Sequence, residues 1–91
     1  MSINLFNLAL RFTAGDMEPE DFVASYFELY RVEAHNGQIA SDEPNLSGCL
    51  STIFCLADLY NPEPDRAGYE LDAEQLIQKI MEEIEIYRKS Q

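Results

Sequence analysis

The 91-residue chain is poor in the side chains that usually do chemistry. It has a single histidine, His35, beside Asn36-Gly37 at an expected helix end. An imidazole there reads as a solvated cation near the helix C-terminus, where the backbone dipole favours positive charge. General base catalysis would need a nucleophile or an acid next to it. No nucleophile elbow, glycine-rich phosphate loop or zinc-ligand spacing occurs. Asp65, Glu70 and Asp72 lie close in sequence but lack the spaced ligands and central glycine of a calcium loop. The expectation is therefore no enzyme, no catalytic residue, no cofactor and no metal.

Cysteine is also scarce. Cys49 and Cys55 are six apart in one expected helix. That is about 9 Å of helical rise, too far for a disulfide between them. Two buried free thiols in a reducing cytoplasm fit better. Long apolar runs are missing: the longest uncharged stretch, Pro44 to Ala57, is too short to span a bilayer. The opening "MSINLFNLAL" has neither the basic start nor the small-residue cleavage site of a signal peptide.

Bases are few. Six Lys and Arg face 17 Asp and Glu, a net charge of −11. Such a surface repels phosphates, which argues against direct binding to nucleic acid or an anionic membrane. It suits a basic partner. The charge is uneven: residues 41–75 carry eight acids and one base, net −7, whereas residues 76–91 balance at zero. Hydrophobic residues make up 46% of the chain, so it can form one modest globular core and is not an acidic tail.

Four segments have helical spacing. Leu5, Leu8, Ala9 and Phe12 share a face before Gly15. Phe22, Val23, Tyr26, Phe27, Leu29 and Tyr30 form a broad stripe after Pro19. Leu46, Cys49, Leu50, Ile53, Phe54, Ala57 and Tyr60 form the clearest one. Leu76, Ile77, Ile80, Met81, Ile84 and Tyr87 form the last, opened by a capping box of Asp72 with Gln75. Helices are predicted near residues 2–14, 19–34, 46–60 and 72–89, with Leu50, Ile53, Phe54, Ile80 and Ile84 buried. "HNGQIASDEPN" reads as a loop. No strand alternation and no internal repeat is present, so residues 1–91 read as an all-α, antiparallel four-helix bundle.

The connector "NPEPDRAGYELD", residues 61–72, is longer and chemically richer than an ordinary helix–helix link. Pro62 and Pro64 stiffen the backbone, so carboxylates on it lose less freedom on meeting a partner. Arg66 is its only base and is expected to brace the loop. Tyr60 and Tyr69 flank the acids and are candidate interface aromatics.

This stretch resembles the Pro-x-x-Asp-Arg-Ala-x-Tyr-Glu-aliphatic-Asp signature of the colicin D immunity protein family and related bacteriocin and contact-dependent growth inhibition immunity proteins. Pro62, Asp65, Arg66, Ala67, Tyr69, Glu70, Leu71 and Asp72 carry the match. The resemblance implies a non-catalytic inhibitor that occludes the basic cleft of a cognate nuclease toxin domain. For colicin D that toxin cuts transfer RNA. It further implies Asp58, Glu63, Asp65 and Glu70 as acidic toxin contacts, in a monomer or a 1:1 complex. Where the colicin D inhibitor carries an acid before the proline, this chain has Asn61, a change expected to retune partner choice. A general acidic interaction module or nucleic-acid mimic is the competing reading, and a small enzyme a distant third.

Overall fold

A computed structural model describes residues 3–90. Its four long helices are α1, Ile3–Thr13; α2, Pro19–His35; α4, Pro44–Asp58; and α5, Ala73–Lys89. A single helical turn, α3, Gln38–Ser41, lies between α2 and α4. The expected start of the first helix at residue 2 falls outside the described residues. The long helices form a four-helix bundle in which α1 packs on α2 and α5, and α4 packs on the same two.

Local chemistry sets the helix ends. Gly15 takes a left-handed φ of 86° after α1. The Asp16 amide then donates to the Arg11 carbonyl and the Gly15 amide to that of Phe12, both at 3.0 Å. This is a Schellman stop, which a residue without Cβ adopts cheaply. Pro19 opens α2, with Glu20 and Asp21 in its first turn. Pro44 opens α4, two residues before the predicted start, because the Glu43 carboxylate accepts the Asn45 amide at 2.8 Å. The Asp72–Gln75 capping box starts α5 with both of its reciprocal bonds formed.

The core draws on every long helix. Leu5, Phe12, Phe22, Tyr26, Leu50, Ile53, Leu76 and Ile80 are essentially removed from solvent. Phe12 stacks on Phe22 with ring centres 4.2 Å apart. Tyr26 is buried whole and donates its hydroxyl to the Leu50 carbonyl at 2.7 Å, so its polar atom is satisfied. Burial drives the Tyr26 phenol well above its ordinary pKa.

Several expectations change. The predicted 35–45 loop contains α3, whose Ile39 is buried in the core. A four-residue turn carries too little periodicity to be read from sequence. Phe54 is only half-buried; it fills the α2–α4 seam against Phe27 and Tyr30, with ring centres 4.9 and 4.7 Å away. Met81 faces out of the last helix, nearly half exposed. Only Cys49 is buried, its thiol 3.7 Å from the Glu83 carbonyl and pushed up by burial to about 11. Cys55 is exposed, because it falls two positions past Ile53 and so on another face of α4.

Candidate functional site

The connector between α4 and α5 is a closed loop. At its base the Leu71 amide donates to the Leu59 carbonyl at 2.8 Å, and the Asn61 amide to the Leu71 carbonyl at 2.9 Å. Tyr60 and Leu71 thereby form an isolated parallel bridge, which ends α4 at Asp58, two residues before the predicted end. Leu71 is buried and pins that base to the core. A long segment whose ends meet and whose interior bonds to itself is an Ω-like loop.

Side chains hold the interior. The Asn61 carbonyl oxygen accepts the Glu63 amide at 3.0 Å, forming an Asx turn around Pro62. The Asn61 amide nitrogen donates to Glu70 Oε1 at 3.2 Å, and the Ala67 amide donates to the same oxygen at 2.8 Å. Glu70 returns its own amide to the Ala67 carbonyl at 3.0 Å. The Ala67 amide first, and the Asn61 amide second, hold the Glu70 carboxyl below its ordinary pKa. Asn61 thus acquires a structural reason: an aspartate there would set a second negative charge against Glu70 and offer no donor.

Arg66 lies across the same loop. Its Nη1 donates to the Glu63 carbonyl at 3.1 Å, and its Nη2 meets Asp72 Oδ2 at 3.4 Å. Both charged groups are about a third exposed, so the ion pair contributes only about 0–1 kcal/mol. The carbonyl contact fixes the loop's shape without depending on charge pairing.

These internal bonds sort the sequence candidates. Asp58, Glu63 and Asp65 are exposed. Tyr69 is 72% exposed, the most open large hydrophobic side chain described. Glu70 is half-buried, with one carboxylate oxygen turned into the loop. Tyr60 is also half-buried and reaches away from the loop: its hydroxyl donates to Glu20 Oε1 at 2.7 Å, in the first turn of α2. That bond lowers the Glu20 pKa. Desolvation, then the bond to Glu20 and the charges of Glu20, Glu18 and Asp72, pushes Tyr60 up to about 12.

Glu18 and Glu20, at the start of α2, lie beside the loop, a placement the sequence does not reveal. Forty residues separate Glu20 from Tyr60, and no local pattern links them. Among the described residues, no group of three or more His, Cys, Asp or Glu side chains could hold a metal ion, and no helix is long and apolar enough to cross a membrane.

The family model for bacterial self-protective colicin-like immunity matches residues 1–86. The chain belongs to that immunity family. No curated protein matches it. The match covers α1 through most of α5, far beyond the 61–72 signature. Glu63, Asp65 and Tyr69 of the α4–α5 loop stand exposed on its solvent side.

Proposed function

We propose that this immunity protein binds a basic nuclease toxin domain and blocks its active-site cleft through the α4–α5 loop. The observation that carries the reading is the separation of roles inside the loop. Asn61, Arg66, Glu70 and Leu71 hold its shape, while Glu63, Asp65 and Tyr69, with Asp58 at the end of α4, face solvent. A cleft that binds phosphates is cationic, and carboxylates on a pre-shaped loop can occupy those cation sites at low ordering cost. Tyr69 supplies the aromatic anchor that such interfaces favour. Protection then comes from 1:1 binding in the cytoplasm, without turnover, and a transfer-RNA-cutting toxin is the target class that fits the loop signature.

The test is co-purification with the product of the adjacent upstream gene, followed by a nuclease assay on total transfer RNA. The wild-type chain should suppress cleavage at equimolar ratio. The double variant Glu63→Gln/Asp65→Asn should keep its fold and lose most of that suppression. Full protection by this variant would remove the acidic loop from the inhibitory contact.

A further inference from the structure

Among the described residues, the Tyr60–Glu20 bond is the one hydrogen bond from the α4–α5 loop to a helix that does not flank it. Every other bond of the loop closes on itself or on its own ends. Those bonds fix the loop's internal shape. They do not fix its attitude to the rest of the bundle.

Tyr60 is well placed to do so. It is the first loop residue after the α4 cap and takes part in the bridge to Leu71. Its ring packs against the core, and its hydroxyl ends on α2. The acceptor belongs to the first turn of a long helix started by Pro19, so it sits on a rigid element. The 2.7 Å bond itself brings the α2 start against the loop's entry.

We propose that Tyr60 is a positioning residue: its hydroxyl bond to Glu20 locks the acidic loop to the start of α2 and sets the angle at which Glu63 and Asp65 meet a partner. Tyr60 acts through the loop and is not itself a toxin contact. This rests on the loop being the toxin-binding element, as proposed above.

The test has two arms. In the first, amide exchange is measured in the free protein for Tyr60→Phe, Glu20→Ala, Glu20→Gln and the Tyr60→Phe/Glu20→Ala double variant. Loss of one charge-assisted bond should speed exchange at Asn61, Ala67 and Leu71 by about 5-fold, with Ile53 and Ile80 unchanged. The double variant should match either single one. Glu20→Gln keeps an acceptor oxygen and should retain slow exchange despite losing its charge. In the second arm, dissociation from the co-purified toxin domain should speed by about 3- to 10-fold in Tyr60→Phe and remain near wild type in Glu20→Gln.

Unchanged loop exchange in Tyr60→Phe would overturn the proposal. So would faster dissociation with unchanged exchange, since that pattern marks a direct contact. Failure of the underlying reading looks different: Glu63→Gln/Asp65→Asn would then bind toxin normally, whatever Tyr60→Phe does. The first arm needs no toxin, so it decides the positioning role by itself.

Discussion

At the residue scale, the chain's acids divide by what their oxygens do. Glu70 accepts from Ala67 and Asn61, Glu20 from Tyr60, and Asp72 from Gln75, whereas Glu63 and Asp65 keep exposed carboxylates. The first two are held below the ordinary value of 4.5 by those bonds. A depressed folded-state pKa stabilises the fold at pH above the unfolded value, and that contribution is lost as pH falls through the folded value. The loop should therefore hold above about pH 4.5 and loosen below it. Amide shifts of Ala67 and Glu63 followed from pH 6 to pH 2 check this. Glu70→Gln retains a carbonyl acceptor and should loosen the loop less than Glu70→Ala. Arg66→Ala should lower the melting temperature of the free protein and also weaken toxin binding, because the Glu63 carbonyl loses its guanidinium donor and keeps only the amide of residue 66. Normal melting with lost binding would move Arg66 into the contact itself.

At the element scale, long amphipathic helices were legible and short or tertiary features were not. The Leu46–Ala57 stripe, the Gly15 stop and the Asp72–Gln75 box each have a local cause, and each stands in the structure. The end of α4 has a distant cause. Tyr60 continues the helical spacing, yet Leu71 recruits its strand-like backbone, and no window around residue 60 contains that information. The loop's place in the chain was readable from its prolines and acids. The inward turn of Glu70 and the reach of Tyr60 to Glu20 were not, since both depend on how the loop folds back. Phe54 shows the same limit: its spacing matches Leu50 and Ile53, but it lies at the edge of the stripe. Leu50→Ala should cost about 2–5 kcal/mol, a large part of the stability of a domain this size. Phe54→Ala should cost less, about 1.5–2.5 kcal/mol, since part of its ring already meets water. Urea unfolding of the two variants side by side tests the ranking, and a larger loss for Phe54 would mean that the α2–α4 seam is tighter than the geometry gives.

At the scale of the whole molecule, the decisive property is where the charge lies. Residues 58–75, with six acids and one base, net −5, make up the end of α4, the loop and the start of α5, and the α2 start adds Glu18 and Glu20 beside them. The balanced stretch 76–91 lies along α5. Glu82 sits about 14 Å along α5 from Ala73, on an exposed face where it accepts from Gln78. A basic nuclease cleft should thus be drawn to one end of this protein. At low salt, steering of this kind should raise the association rate by about 10-fold or more. Raising ionic strength from about 0.01 M to 0.15 M shortens the screening length from about 30 Å to 8 Å, so association should slow while dissociation changes little. Neutralising Glu18, at the rim, should mainly slow association. Neutralising Glu63 or Asp65 should mainly speed dissociation and cost about 2–5 kcal/mol, since each would leave a toxin cation buried without a partner. Glu82→Gln removes the same unit of charge from the far part of α5 and should leave both rates nearly unchanged. Stopped-flow mixing of the toxin domain with these variants across the salt range reads all of these effects together. If association ignores salt, or Glu82→Gln matches Glu63→Gln, the toxin meets a different face, because neither result can arise from a partner held at the acidic loop.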